Sequence, residues 1–284
     1  MGHNTPRLLL ILVLSLACTA CENDEAETVG HNSTSPFPDL SVFPEAMWLG
    51  NEQDILAQLQ TEPVECLNPR QQTANAYQIQ VGRAAFSTPA VLGGQAARMG
   101  LSCNSCHRKG RDNPLFFIAG LSSQPGTVDV THGFFSETRE DAVFNPVPLP
   151  TLLDVSHKTS FGTMRPQATL EAFIHGVIVD EFAGHEPAPS VMSGLLAYVG
   201  ALDSLSCNST QTVARNLQSD LLFLDELALT METAIARQNI PDLTLLVLAT
   251  QSRLQDIHVR YQQQPELQQA LEASSRQLRN LGND

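Results

Sequence analysis

The sequence predicts a mostly helical protein with long irregular loops in its middle and a helical hairpin or small bundle at its end. Three observations carry this expectation. Apolar residues recur at helical spacing in TLEAFIHGVIVDEF and SVMSGLLAYVGALD, between residues 169 and 203. The stretch from Lys109 to about Thr163 is rich in Gly, Pro and Asn and has no such period. After Cys207 three amphipathic segments follow, near residues 210–238, 241–262 and 265–281, with Pro241 and Pro265 where helix starts tolerate proline.

In chain order, the first element is a secretory signal over residues 1–20: Arg7, the apolar run from Leu8 to Ala17, then small residues. That run is too short to span a bilayer comfortably. Thr19-Ala20-Cys21 has the small residues that lipoprotein signal peptidase needs beside the cysteine it lipidates, so a lipid anchor on Cys21 is expected. A plain secretory signal cleaved nearby, or Cys18 as the acceptor, are the alternatives. From Glu22 to Pro69 there is no Lys or Arg. Residues 21–40 are too polar and acidic to bury a core and read as a disordered tether.

Residues 41–207 form the expected folded domain. Within it, YQIQVGRAAFSTPAVLGGQAARMGLS from Tyr77 reads as a helix, a Pro/Gly turn and a second short helix, and Thr169 is placed to cap the helix that follows it. Residues 208–284 are the helical extension. An irregular segment as long as 109–163 needs something to wrap around.

Acidic residues outnumber basic ones 30 to 16, for a net charge of -14. A phosphate backbone demands the opposite sign, so nucleic acid is not an expected partner.

Cys103-Asn104-Ser105-Cys106-His107 is the attachment pattern of c-type haem. In one helical turn, residues three apart share a face, so two sulfurs reach two vinyl groups while the next imidazole swings beneath the iron. Cys103 and Cys106 are therefore the expected covalent attachments of one haem c, and His107 its proximal axial ligand. Zinc is the first rival, but the turn offers three ligands and the other mature cysteines, Cys66 and Cys207, are single and distant. A Cys103–Cys106 disulfide is the second, and it leaves His107 without a role. In an oxidising compartment Cys66 and Cys207 are expected to pair, with two buried free thiols as the alternative.

The iron's distal face has two leading candidates. Met164 lies in the loop before the Thr169 helix, and His175 lies on that helix near Ile178 in angular position. Met192 falls on an apolar helix face, where core packing explains it. His132, His157 and His185 sit in polar loops. An open distal site is the remaining option.

Four segments resemble a single haem domain of the bacterial di-haem cytochrome c peroxidase family. They are Gly82-Arg83-Ala84-Ala85-Phe86, Gly100-Leu101-Ser102 leading into Cys103–His107, Pro150-Thr151-Leu152-Leu153-Asp154-Val155, and Ala168-Thr169-Leu170-Glu171. They keep the family's order and cover about residues 77–203. The resemblance implies a cytochrome c-like fold with long loops, the proline-led segment lining the haem and the Thr169 helix on its distal side. Family enzymes use two haems, whereas this chain has one attachment motif. Where the family has a methionine further along the Thr169 helix, this chain has Val177 or its neighbours.

The expected function is that of an exported monohaem cytochrome carrying single electrons, a carrier more than an enzyme. It would sit in the periplasm of a Gram-negative bacterium, held to the membrane by lipid, with redox partners that present a basic docking surface. The alternatives are a peroxidase-like haem enzyme acting with a partner's haem, and a haem-bearing subunit of a larger redox complex.

Overall fold

The computed structural model describes residues 60–162, 165–208 and 211–281. The expected leader at 1–20, Cys21 and the tether at 21–40 lie outside the described residues. Among the described residues the protein is mostly helical, with ten helices and four short strands. None of these helices is long and apolar enough to cross a membrane.

The start of the described chain is stitched to a segment some 140 residues later. Strand β1 (Thr61–Pro63) pairs antiparallel with β4 (Thr212–Ala214), with Thr61 opposite Ala214. Beyond it, Asp203 N–H donates to Cys66 O (2.9 Å) and Asn68 N–H to Ala201 O (2.8 Å). Between these ties Cys66 and Cys207 form a disulfide, the pairing expected from the sequence.

Helix α1 (Pro69–Ala74) opens on proline, and Asn68 Oδ1 accepts from Arg70 N–H at 3.1 Å. Helix α2 (Ala76–Phe86) follows directly, then two short helices, α3 (Pro89–Leu92) and α4 (Gly94–Arg98). Helix α5 is the single turn Cys103–Cys106. The following stretch is largely irregular, as its composition predicts, with single 3-10 turns at Arg108–Gly110 and Val155–His157 and with β2 (Thr127–Val128) paired with β3 (Val147–Pro148). Side-chain bonds hold it where ladders are missing: Asn113 Nδ2 donates to Ser105 O (2.8 Å), and buried Asp129 accepts from Thr131 N–H (3.1 Å).

Helix α6 (Leu170–Gly176) starts where Thr169 Oγ1 accepts from Ala172 N–H at 3.1 Å and continues as a π-helical turn, Val177–Glu181. Helix α7 (Pro189–Gly200) crosses α2 at the centre of the core. The crossing is close because glycine meets glycine: a Cβ on Gly82 would collide with the backbone of Gly194 and lie 2.7 Å from Tyr198 Cβ. Ile79, Phe86, Ile178, Leu195, Tyr198 and Leu202 fill the surrounding cluster. A second cluster, with Leu92, Phe116, Leu121, Phe135 and Phe182, lies under the irregular segment.

Helices α8 (Leu217–Ala236), α9 (Ile240–Arg260) and α10 (Pro265–Leu281) complete the chain. Asn216 and Ser219 cap α8 reciprocally, with Ser219 N–H to Asn216 Oδ1 at 3.0 Å and Asn216 N–H to Ser219 Oγ at 3.1 Å. One compact unit runs as far as Arg253 and takes in α8 and most of α9. From Leu254 onward the chain belongs to a second unit, where Gln268 Nε2 donates to His258 O (3.1 Å) and Tyr261 O (2.9 Å).

Candidate haem-attachment site

The turn that carries the motif is defined by its own short polar residues. Ser102 N–H donates to Ser105 Oγ at 3.0 Å, and His107 N–H closes the turn on Cys103 O at 2.8 Å. Asn104 Oδ1 then accepts from Lys109 N–H at 2.8 Å, which lets Lys109 take a left-handed conformation (φ 52°) and reverses the chain. The reversal brings the imidazole back toward the proline-led segment.

There His107 Nδ1 lies 2.9 Å from Pro150 O. A carbonyl only accepts, so Nδ1 carries the proton and Nε2 keeps its lone pair. Burial lowers the pKa of His107 from its ordinary value, which keeps the ring neutral near pH 7. The acceptor is itself fixed, because Leu152 N–H donates to Gly110 O (2.8 Å) and Asp154 N–H to Leu202 O (3.0 Å). A neutral imidazole with a fixed tautomer is what a metal ligand requires.

Cys103 and Cys106 are free thiols. Cys103 packs against both apolar clusters and Cys106 against the second, so the two sulfurs stand at the seam between them. The seam is bordered by apolar side chains left only partly buried: Leu152, Leu153, Phe173 and Ile174 on one side, Ile118 and Leu149 on the other. Burial pushes the Cys103 thiol up to about 12 and the Cys106 thiol higher still, so both are protonated at neutral pH. Thiolate chemistry, whether zinc ligation or redox exchange, wants the opposite shift. Among the described residues no three His, Cys, Asp or Glu side chains are grouped as a metal site. A haem held by two thioethers needs two thiols on one turn, an apolar slot beside them and an oriented imidazole. The residues present fit each requirement.

The distal candidates fare differently. Met164 lies outside the described residues. His175 Nε2 is 2.8 Å from Glu186 Oε2, with its side chain 41% exposed, so its ring is engaged with a surface carboxylate. Met192 is buried in α7, as core packing predicts.

Three features of the surroundings have no signature in the sequence pattern. Glu181, at the end of the π turn, lies close enough to both motif thiols for its charge to raise their pKa, and burial pushes its own carboxyl up to about 7. Arg111 is buried and donates through Nη2 to both sulfurs of the disulfide, Cys66 at 2.8 Å and Cys207 at 3.1 Å. Beside the motif, Arg83 is paired with Glu65 (2.9 Å) and with Glu226 of α8, while Tyr198 donates to Glu65 Oε1 at 2.6 Å. The Phe223 ring of α8 has Arg83, Lys109 and Arg253 over it at 5.1, 6.0 and 4.7 Å. Helix α8 is thereby linked to the end of the Cys103–His107 turn through Lys109. No spacing rule links these residues, which come together only when α2, α7 and α8 pack.

Comparison with family models, with curated proteins and with solved structures finds no match for this chain.

Proposed function

We propose that this chain is an exported monohaem c-type cytochrome that carries single electrons. The observation that carries the reading is the placement of Cys103 and Cys106 on one turn at an apolar seam, with His107 oriented by Pro150 O. Cys103 and Cys106 would hold the group as thioethers and His107 Nε2 would ligate its iron. The bound haem supplies a one-electron ferric/ferrous couple. Pro150 O holds the proton on His107 Nδ1, and the partly buried leucines and phenylalanine of the seam would keep water from the bound group. A cytochrome c-like fold of the kind that the sequence resemblance implies accommodates these elements.

Export follows from the leader at residues 1–20, and a Cys66–Cys207 disulfide suits an oxidising compartment. We place the protein in the periplasm of a Gram-negative bacterium, anchored by lipid on Cys21, and infer redox partners with a basic docking surface.

One observation favours a peroxidase-like reading as the runner-up. Burial pushes the Glu181 carboxyl up to about 7, with the charge of the largely buried Arg139 opposing the shift, a proton donor and a cation suited to small-ligand chemistry.

The test is a Cys106→Ala exchange in the exported protein. Covalent haem staining should fall to a small fraction of the parent's while the Cys66–Cys207 bridge still forms. Staining undiminished by the exchange would overturn the assignment. Carbon monoxide then separates the two readings, because a carrier with both axial positions filled leaves its spectrum unchanged.

A further inference from the structure

The loop from Asp129 to Asn145 is closed at its base and presents an unusual surface. Asn145 N–H donates to Asp129 Oδ2 (3.3 Å), which brings the two ends together. At its outer part, Ala142 N–H donates to Glu140 Oε1 (2.7 Å), Val143 N–H to Asp141 Oδ1 (2.9 Å) and Asn145 Nδ2 to Asp141 Oδ2 (3.0 Å). The Glu140 carboxylate folds back against Gly133, which sets Phe134 beside the acidic end of the loop. Phe134, Val143 and Phe144 are 37%, 57% and 57% exposed. Exposed large apolar side chains grouped on one ordered loop mark an interaction surface more than a solvated one.

The charge around them has one sign. Glu137, Glu140 and Asp141 are exposed, while Arg139, the loop's only Lys or Arg, is 11% exposed and turned toward Asp180 (3.9 Å). The Val143 backbone N–H and the Asn145 amide hold the Asp141 carboxyl below the usual carboxylate range, so Asp141 stays charged. From Phe134 a packed aromatic path leads inward: its ring is 5.4 Å from Phe135, and Phe135 is 5.0 Å from Phe182. Phe135 and Phe182 belong to the cluster against which Cys103 and Cys106 pack.

We infer that this loop is the docking face for a redox protein whose own apolar patch is ringed by lysine and arginine. The inference rests on the haem reading above and specifies the partner's chemistry. Phe134, Val143 and Phe144 form the dry centre of the contact, and Glu137, Glu140 and Asp141 its rim. A second copy of a chain with net charge -14 would bring acid against acid, and an anionic lipid or nucleic-acid surface would be repelled likewise.

The test uses the full-length reduced holoprotein, with a lysine-rich soluble cytochrome c and an uncharged quinone as alternative oxidants in stopped flow. Glu137→Gln/Glu140→Gln/Asp141→Asn should slow transfer to the lysine-rich protein about tenfold at low salt, with the difference shrinking as salt screens the rim. Phe134→Ser/Phe144→Ser should slow it without changing the salt slope. Neither set should change the rate with the quinone, and a control that removes three acids from the C-terminal helices, Asp256→Asn/Glu266→Gln/Glu272→Gln, should leave both rates unchanged. Loop and control variants that behave alike would overturn the docking assignment. A parent that purifies without covalently bound haem overturns the haem reading instead. In that event, affinities of the same variants for the immobilised lysine-rich protein still decide the face.

Discussion

Replacing Gly82 by alanine tests the close crossing of α2 and α7 at the centre of the core. A Cβ there falls 2.7 Å from Tyr198 Cβ, about 0.7 Å short of ordinary contact, and closer still to the Gly194 carbonyl. Neither obstacle is a flexible side-chain end, so the helices must separate, and Ile79, Phe86 and Leu195 lose packing. Overpacking of this kind costs about 3 kcal/mol at the upper end of its range, while alanine in place of glycine returns about 1 kcal/mol of helix propensity. The net destabilisation is about 2 kcal/mol. Gly200, at the end of α7, has open space where a Cβ would project, so Gly200→Ala should be neutral or stabilising by up to about 1 kcal/mol. Gly194→Ala, whose nearest contact is 2.9 Å, should fall between them. Guanidinium unfolding followed by far-ultraviolet circular dichroism ranks the three. A Gly82→Ala protein as stable as Gly200→Ala would refute the close-crossing argument.

Other outcomes follow from the same structure. Removing the disulfide as Cys66→Ser/Cys207→Ser opens a link across 141 residues and should cost about 2–5 kcal/mol, read as a lower guanidinium midpoint; an unchanged midpoint would contradict the bridge. Tyr198→Phe removes one donor from Glu65 and should cost about 1 kcal/mol, whereas Glu65→Ala leaves largely buried Arg83 without its inner partner and should cost about 3 kcal/mol; equal effects would contradict the network. Glu181 titrates near pH 7 when folded and near 4.5 when unfolded, so between those values the native state holds the extra proton. Stability should fall as pH rises from 4.5 to 7 and then level off, and Glu181→Gln should remove that component; identical pH profiles for parent and variant would count against the buried carboxyl.

The parts of the fold that depend on local sequence are legible in the sequence alone. The 3.6-residue period locates α6, α7 and the three terminal helices, the first opening at Leu217 after strand β4 rather than near 210; α2 reads as a helix ahead of its Pro/Gly turn, Thr169 announces the start of α6, and Cys66 and Cys207 pair as expected. Helix α1 leaves no such signal, because all its residues are exposed and it has no apolar stripe. Strands β1 and β4 are three residues each, too short to show alternation, and each exists only because its partner arrives from the far end of the domain. The Gly82–Gly194 contact and the Glu65–Arg83–Tyr198 group join separate elements, so no periodicity displays them. At the site, Cys103-Cys106-His107 is plain in the sequence, but the Pro150 carbonyl that orients the imidazole is not. A helical wheel sets His175 near Ile178, yet its ring meets Glu186 from the following loop, a partner that the wheel does not contain. Glu181 is hidden because the helix widens to a π turn after Gly176, which breaks the spacing used to assign faces.

The most direct test of the central claim is the intact mass of the purified exported protein, taken together with its pyridine haemochrome spectrum. The expected mass is that of the mature chain plus one haem, retained after denaturation, with the spectrum of a haem bearing two thioethers and two motif thiols that no reagent can label. A chain of unaugmented mass whose Cys103 and Cys106 both label after unfolding would contradict it.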